Sequence, residues 1–326
     1  REIHFFEAHT AHKDQEGADA QIDEDAVIVK NLLHDLCFPA IVSKRPVWDT
    51  FPGAWFSNAV DVVMPNGRTL QVATYHHYKD QWAKAFDLKY EDTEGQTQYC
   101  HQTTFGMSER MLGAVVGMHG DEAGLIFPPK IAPIQIVLMP VAQHLDEDVI
   151  PSINKIADTL KSAGYRVKVD DRDLRPGAKH YDWEIKGVPL RLELGPRDLK
   201  SGQFVLSMRT GGKASHDVND LLNVISDSLD STESELRNRA AVHMENLVLD
   251  FPGIEQSSDG WKLTKPIEDG KVYQLAFDGN DSDAEILEKA TGLTFLGDCI
   301  DSYSEPQPCA VTGRMTTRKQ HLARMY

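Results

Sequence analysis

Apolar and polar residues alternate differently along successive parts of the chain. From about Asp23 to Cys37, apolar residues recur near helical spacing, which predicts an amphipathic helix. Two apolar-alternating runs then flank Asn66-Gly67, and Asn-Gly in this setting is a strong hairpin signal because a type I′ turn needs positive φ at both central residues. A glycine-dotted run from Gly106 to Gly124 predicts a helix between two loops.

Strict alternation along the return strand of this hairpin separates its side chains onto two faces. One face is expected to carry Gln71, Ala73 and Tyr75, and the other Leu70, Val72, Thr74 and His76. The neighbours His76 and His77 point to opposite faces of a strand, so they cannot both bind one metal ion. The paired histidines therefore do not predict a metal site.

A different pattern begins at Ile134, where apolar strands alternate with helices. Strands are predicted in the segments IQIVLMP, YRVKVDD and VPLRLELG. This alternation is typical of a small α/β domain with a partly parallel sheet. Residues 219–229 are expected to form its last helix and residues 231–249 a separate linking helix, which leaves a third, smaller unit at the C-terminal end.

Length and composition bound the class of protein. A chain of 326 residues exceeds the usual domain size, so two or three packed units are expected. With 41% hydrophobic and 26% charged residues, it is neither disordered nor collagen-like. Its apolar runs are too short for a membrane-spanning helix, and its first residues do not resemble a signal peptide. The four scattered cysteines predict reduced thiols, so a cytoplasmic location without a membrane partner is expected.

The acidic balance limits nucleic-acid binding. The formal net charge is -16, and phosphate affinity depends on Lys and Arg, so DNA is not expected as a partner and any RNA contact must be local. The middle segment does concentrate cations, namely Arg172, Arg175, Lys179, Lys186, Arg191, Arg197 and Lys200. Such a cluster suits local RNA contact, although the alternative of ordinary surface cations stays open.

Three polar clusters are candidates for a functional site. Glu7 and His9 are two residues apart and share a face of a strand. Several polar residues follow the hairpin turn, from Gln71 to His77. The stretch from Gly106 to Arg110 begins a predicted helix with a cation, a pattern suited to phosphate binding by helix N-terminal amides. Each cluster also has a simpler interpretation as solvated surface, and none identifies a function alone.

In order along the chain, these clusters resemble the archaeal and eukaryotic-type prolyl-tRNA synthetases of class IIa. The matching stretches are REIHFFEAHTAH at 1–12, FPGA at 51–54 with LQVATYHH at 70–77, and residues 99–140, 170–199 and 322–326. The resemblance covers essentially the whole chain. It implies activation of L-proline by ATP to prolyl-adenylate and transfer of the prolyl group to tRNA(Pro).

The resemblance implies a multidomain protein of the α/β and α+β classes. Residues 1–132 would be the C-terminal portion of an antiparallel-sheet class II catalytic core, residues 133–230 an α/β anticodon-binding domain, and residues 231–326 a linker helix with a small α/β C-terminal domain. In the family, a Thr-x-Glu proline-binding loop and the dimer-forming first motif precede this region. The chain is therefore expected to be incomplete for activity, and a homodimer is expected only by resemblance.

The resemblance also implies residue roles. L-Proline would be bound by Phe5, Glu7, His9, Phe51 and His76, ATP by Gln71, Thr74 and Arg110, and the tRNA anticodon by Arg172, Lys179 and Glu193. Glu7 would pair with the imino cation of proline. Arg110, as the catalytic cation, would offset charge while pyrophosphate leaves, with Mg²⁺ on the phosphates of ATP.

Departures from the family pattern leave a second hypothesis open. The usual Gly-Thr-Ser-His is Ala73-Thr74-Tyr75-His76 here, and Tyr78-Lys79-Asp80-Gln81 replaces a Leu-Gly-Gln run. The added bulk is either a tolerated variation or a sign of altered activity. The alternative function is a non-catalytic, synthetase-like module that binds RNA or a partner.

The C-terminal domain resembles one that holds zinc with four cysteines in many archaeal members. The corresponding positions here are Asp278, Asp283, Cys309 and Thr312. One thiolate of four cannot make a closed structural zinc site, so no zinc is expected.

Overall fold

The computed structural model describes residues 2–258, 260–300 and 302–326, and it forms two compact units. The first unit comprises the residues up to Leu33, Pro39–Ala114 and Ala241–Tyr326, and the second comprises His34–Phe38 and Val115–Ala240. Arg1, the first residue of the stretch that resembles the synthetases, lies outside the described residues. These units divide the chain at other positions than the predicted three domains, whose boundaries stay a prediction.

The N-terminal third of the chain forms antiparallel strands with helices between them. Its elements are β1 (Phe5–His12), α1 (Gln15–Asp35), β2 (Ile41–Lys44), a 3₁₀ turn (Val47–Asp49), β3 (Phe56–Val63), β4 (Arg68–Lys79), α2 (Gln81–Phe86), β5 (Lys89–Glu91), β6 (Thr97–Tyr99), β7 (His101–Ser108) and α3 (Arg110–His119). Antiparallel pairing joins the strands in the order β1-β7-β4-β3-β2.

The predicted hairpin connects β3 and β4, but its turn is not type I′: the central residues are Pro65 and Asn66, and of Asn66 and Gly67 only Gly67 has a positive φ. The Gly67 amide donates to the Met64 carbonyl at 2.8 Å, and Gly67 has a φ of +76°. Glycine is required here for a second reason, because a Cβ atom would lie only 1.8 Å from the Gly270 carbonyl oxygen. The turn therefore fixes the register of β4, which supplies much of the pocket described below.

The middle of the chain forms the predicted α/β sheet. Its elements are β8 (Ile136–Pro140), α4 (Val149–Ser162), β9 (Val167–Val169), α5 (Pro176–Ile185), β10 (Leu190–Leu194), α6 (Pro196–Ser201), β11 (Gln203–Met208), β12 (Lys213–Asp217) and α7 (Leu221–Leu247), with 3₁₀ turns at Gln143–Leu145 and Val218–Asp220. The strand order is β12-β11-β10-β8-β9, with parallel pairing on both sides of β8. Buried leucines and isoleucines of β8, β10, α4 and α7 form its core.

The C-terminal strands continue the sheet of the first unit. The elements are β13 (Val248–Asp250), β14 (Ile254–Ser257), β15 (Gly260–Leu263), β16 (Val272–Ala276), α8 (Asp281–Thr291), β17 (Thr294–Cys299), β18 (Gln307–Pro308), β19 (Met315–Thr316) and β20 (Lys319–Met325). Among the described strands, β17 pairs with β2, followed by β20, β16 and β13, and the end of β20 also runs parallel to the start of β4. The C-terminal segment thus supports the strands that carry the pocket.

Two of the predicted helices differ from the observed ones at their bounds. Helix α1 begins at Gln15 instead of near Asp23, because the Asp14 carboxylate accepts from the Gly17 amide and caps the helix earlier. Its buried face follows Ala18, Ile22, Asp25, Val29 and Leu33, whereas Val27 is 56% exposed. The two helices predicted at 219–229 and 231–249 are one helix, α7, since neither Asp230 nor Ser231 interrupts it.

The stretch from Gly106 to Gly124 differs from its prediction as well. Its first residues end strand β7, and only Arg110–His119 is helical. The polar run at 101–104 and Phe105 belong to the same strand, which the glycine spacing alone did not indicate. In the part of the chain that the structure describes, no helix has the length and apolar character needed to span a membrane.

Candidate functional site

A pocket of about 320 Å³ lies on the antiparallel sheet of the first unit. Its walls come from β1, β3, β4, β7 and the segment between β2 and β3, and they consist of Phe5, Glu7, Arg45, Asp49, Phe51, Ser57, Gln71, Thr74, His76, Thr104 and Gly106. Six of these residues were candidates from the sequence. A pocket of this size, with aromatic walls and a few polar groups, is typical of a small-molecule site.

The acid of the pocket is Glu7, on strand β1. Its carboxylate lies 3.1 Å from Nε2 of His9, two residues further along the same strand face. Nδ1 of His9 lies 3.2 Å from the Thr104 hydroxyl on the neighbouring strand β7. His9 itself does not line the pocket. Its contacts with Glu7 and Thr104 are those expected of a residue that holds the Glu7 side chain in place.

His76 forms the opposite side of the pocket with Phe51. Their rings are 5.0 Å apart, and the Ser57 hydroxyl ties them together, lying 2.7 Å from His76 Nδ1 and accepting from the Phe51 amide at 3.0 Å. Burial lowers the pKa of His76, and the nearby Glu7 charge only partly opposes this. A neutral imidazole therefore faces the pocket at neutral pH.

A β-bulge at Val72 brings Gln71 into the pocket. Val60 pairs with Ala73 but Asp61 pairs with Gln71, so Val72 is an extra residue on β4. The bulge reverses the alternation, and Gln71 joins Thr74 and His76 on one face. The expected separation of Gln71 from these two residues is therefore wrong, because strict alternation does not allow for a bulge.

The departures at Ala73 and Tyr75 lie away from the pocket. Both side chains are buried and neither lines it. Burial raises the pKa of Tyr75 to about 12, while the neighbouring Asn58 side chain acts in the opposite direction. The added bulk is thus accommodated in the interior, and it does not narrow the pocket.

Arg45 is a pocket residue that sequence reasoning missed. Its guanidinium is buried and lies 3.0 Å from an Asp61 carboxylate oxygen. It also donates to the Gln71 side-chain carbonyl at 3.3 Å and to the Leu296 carbonyl at 3.0 Å. Burial raises the pKa of Asp61, and the Arg45 charge opposes this effect. In the sequence, Lys44-Arg45 resembles an ordinary pair of surface cations. The groups that bind Arg45 are not its neighbours in sequence, so no local pattern indicates that it is buried.

Arg110 lies outside the pocket lining, at the first position of α3. It is exposed, and its amide donates to the Ser108 hydroxyl at 3.3 Å. Ser108 pairs with Phe5 across β7 and β1, and the Glu109 amide donates to the His4 carbonyl. These contacts place the start of α3 beside the β1 edge of the pocket.

Arg172 and Lys179, two of the predicted anticodon residues in the second unit, both contact Asp170. Arg172 donates from two nitrogens to the Asp170 carboxylate at 2.8 Å and from a third to Asp182 at 2.8 Å. The Arg172 hydrogen bonds hold the pKa of Asp170 well below its usual range. Lys179 is buried, with its ammonium 3.0 Å from the Asp170 carbonyl. Arg172 is exposed enough to meet a ligand, whereas Lys179 is placed to support the loop from beneath.

Glu193 is surrounded by basic side chains. Its carboxylate lies within about 3 Å of side chains from His180, Arg191 and Lys213. Burial raises the pKa of Glu193, but Lys213 and Arg191 outweigh it and hold the pKa below its ordinary value. A groove of about 310 Å³ next to it includes Arg191, Arg209 and Lys213 in its lining. The last two cations were not candidates from the sequence.

The four positions aligned with zinc ligands have other partners. The Asp278 carboxylate accepts from Thr312 and pairs with Arg314, and its amide donates to the buried Cys309 sulfur. Asp283 caps helix α8 with Asn280. Within the described ranges no group of three or more His, Cys, Asp or Glu residues could hold a metal ion. The absence of zinc stays a prediction.

Comparisons with known proteins agree with this arrangement. A family model described as tRNA synthetase class II core domain (G, H, P, S and T) matches residues 1–119, and one described as anticodon binding domain matches residues 135–228. The proline–tRNA ligases of Thermococcus kodakarensis and Pyrococcus abyssi are 48% and 40% identical to this chain. Each alignment covers 100% of the chain and 68% of the relative, so the chain spans about two thirds of their length.

A solved structure is similar over the same region. The Giardia lamblia prolyl-tRNA synthetase in complex with prolyl-adenylate matches with a TM-score of 0.89 and 33% identity, over 100% of this chain and 70% of that one. The predicted fold class, a partial class II core with an anticodon-binding domain, is confirmed by these matches.

Proposed function

Since the chain belongs to the family of the proline–tRNA ligases, we propose that the pocket around Glu7 binds L-proline and ATP and forms prolyl-adenylate. One observation carries this proposal: a carboxylate lies between aromatic walls in a cavity of about 320 Å³. An imino acid presents a cation on an apolar ring, and this combination matches both features. Glu7 would pair with the cation, and Phe5 and Phe51 would cover the ring.

The nucleotide would lie on the β4 side of the same pocket. Gln71 and Thr74 face it there, and Arg45 holds the Gln71 amide from beneath. A carboxylate oxygen of proline attacks the α-phosphorus of ATP, an oxygen–phosphorus bond forms, and the bond to the bridging oxygen breaks as pyrophosphate leaves. The protein contributes mainly position and charge, and Arg110 would offset negative charge on the phosphates.

Transfer completes the reaction. A ribose hydroxyl of the tRNA 3′ end attacks the prolyl carbonyl carbon, the ester to tRNA forms, and AMP leaves with the bonding electron pair of the mixed anhydride. We also expect Mg²⁺ to accompany ATP, because phosphate oxygens are its usual ligands. The homodimer and the cytoplasmic location likewise remain proposals that rest on the family.

Glu7 gives the first test of the proposed function. In the full-length protein, Glu7→Gln is expected to raise KM for proline by about 10- to 100-fold, because a hydrogen bond to a charged group contributes about 1.5–3 kcal/mol. KM for ATP should change little. Both are measured by proline-dependent ATP–pyrophosphate exchange.

Glu91→Gln is the matched control, since Glu91 is exposed at the end of β5. The control should behave as wild type. An unchanged KM for proline in Glu7→Gln would show that Glu7 does not bind the imino group. Wild-type protein that gives no exchange with proline would favour the non-catalytic module. The departures at Ala73 and Tyr75 do not support that module, because neither side chain lines the pocket.

The second unit is the proposed tRNA-binding part. The family model for anticodon binding covers it, and its exposed cations supply the local positive charge that RNA contact needs in an acidic protein. Arg172, Lys179 and Glu193 remain the proposed anticodon residues, with Arg172 the most exposed of them. Lys213, whose side chain is about half exposed, extends the same cationic surface, whereas the Arg209 side chain is buried against Asp121.

Arg172→Ala is expected to raise KM for tRNA(Pro) about tenfold in aminoacylation and to leave exchange unchanged, because the anticodon part takes no role in adenylate formation. Arg239→Ala is the control, since this arginine of the same unit is similarly exposed and also ion-paired, with Glu235. Equal losses in aminoacylation and exchange would indicate a folding defect in place of an RNA contact.

A further inference from the structure

Tyr78 lies directly behind the wall of the proposed proline pocket. It is 2% exposed and stacks on Trp82, with ring centroids 4.1 Å apart and planes 25° from parallel. Phe51 meets Tyr78 edge to face at 6.4 Å, and the His76 ring is 6.0 Å away. Tyr78 therefore contacts Phe51 and His76, which line the pocket, without lining it itself.

A second β-bulge aims Tyr78 at this cluster. His77 pairs with Thr103 and Lys79 pairs with Gln102, so Tyr78 is the extra residue on β4. Lys79 then has a φ of +50°, which is unfavourable for a residue with a side chain. Its ammonium lies 3.5 Å from the centroid of Trp55, a cation–π contact that helps to hold this conformation. Bulges next to active sites commonly re-aim a side chain in this way.

The Tyr78 side chain also lies near the acidic wall. Burial raises the pKa of Tyr78, whereas the nearby Thr104 side chain lowers it. Thr104 lines the pocket and contacts His9, which pairs with Glu7. Tyr78 thus packs against the aromatic wall of the pocket and lies close to a residue of its acidic wall.

Trp82, which does not line the pocket, also supports Phe51 and Tyr78. Its ring lies so close to Gly53 that a Cβ there would come within 2.4 Å of the indole nitrogen. Gly53, two residues after Phe51, has a φ of +84°, so the chain folds tightly over Trp82 at this point. The position of Phe51 therefore depends on the Tyr78–Trp82 stack and on the turn that packs against it.

We propose that Tyr78 is a positioning residue for proline: with Trp82 it fixes Phe51, and thereby sets the affinity of the pocket for the ring. The inference rests on the proposed function of that pocket. Gln71 and Thr74, which form the nucleotide side, carry no ring that the Tyr78–Trp82 stack could contact. Loss of the stack should therefore weaken proline binding selectively.

The test is Tyr78→Leu in the full-length protein, with KM for proline and for ATP measured separately by ATP–pyrophosphate exchange. We expect KM for proline to rise about 5- to 10-fold, as for the loss of one aromatic contact, and KM for ATP to stay within about twofold. Tyr78→Phe keeps the ring and should retain most of the affinity. Phe86→Leu is the control, because Phe86 contacts the outer edge of Trp82 and is exposed.

Each outcome distinguishes the inference from the proposed function. With active wild-type protein, an unchanged KM for proline in Tyr78→Leu overturns the inference alone, and so does an equal rise of both KM values. Wild-type protein without proline-dependent exchange overturns the proposed function and the inference together. Where Tyr78→Leu does not fold, Trp82→Leu decides, and it should raise KM for proline selectively as well.

Discussion

Replacing Arg110 by alanine is expected to lower kcat for proline-dependent ATP–pyrophosphate exchange by about 10²–10³-fold, the usual cost of removing one group that stabilises transition-state charge. Arg110 is exposed at the first position of α3, beside the β1 edge of the pocket. In the proposed function, a guanidinium at this place would contact the phosphates of ATP, and the amides of the helix end would add positive potential.

Two further variants sharpen this prediction. Arg110→Lys keeps the charge but loses the planar fork, so it should recover only part of the rate. Arg68→Ala, at an exposed arginine beside the hairpin turn, should leave the rate at the wild-type level. Unimpaired exchange in Arg110→Ala would remove Arg110 from the reaction. A rise in KM for ATP without a change in kcat would make it a binding residue only.

Replacing Arg45 by methionine is expected to lower the free energy of unfolding by about 3–5 kcal/mol, the cost of leaving one buried charge without its partner. The charge left behind is Asp61, whose side chain is fully buried. The Leu296 carbonyl would lose a donor as well, which loosens the contact between the C-terminal segment and the pocket floor. Urea unfolding of wild type and variant measures the loss.

The pH dependence checks the cause. Burial raises the pKa of Asp61, and without Arg45 nothing opposes this as strongly. A carboxyl whose pKa is higher in the folded chain than in the unfolded chain makes the fold less stable as pH rises between those two pKa values. The variant should therefore regain stability as pH is lowered from neutral toward about 4, the ordinary pKa of an aspartate. The double variant Arg45→Met with Asp61→Leu should recover most of the loss at neutral pH. A loss independent of pH would contradict the buried-charge explanation.

The sequence was most informative where a signal is local. The Asn66-Gly67 turn, the alternation of strands and helices after Ile134, and the shared face of Glu7 and His9 all appear in the structure. Turn-forming residues and the period of apolar positions depend on neighbouring residues alone, so they can be recognised without knowledge of tertiary contacts. The order of the matching motifs was enough to identify the family, and the comparisons confirm it.

The bounds of helices were harder to predict from the sequence, because a capping residue can begin a helix before its apolar pattern becomes clear. The Asp14 carboxylate begins α1 before its apolar run is dense, and the continuous α7 has no residue strong enough to end it.

By itself, then, the sequence determined the hairpin and the strands of the middle α/β sheet that alternate with helices, because backbone period and turn residues act locally; the resemblance added six of the residues that line the pocket. The tertiary structure alone decided the rest. The bulges at Val72 and Tyr78 depend on pairing with two neighbouring strands, and they bring Gln71 into the pocket and Tyr78 behind it. The buried Arg45 depends on Asp61 and on a carbonyl 251 residues away, a contact that exists only once the sheet has formed.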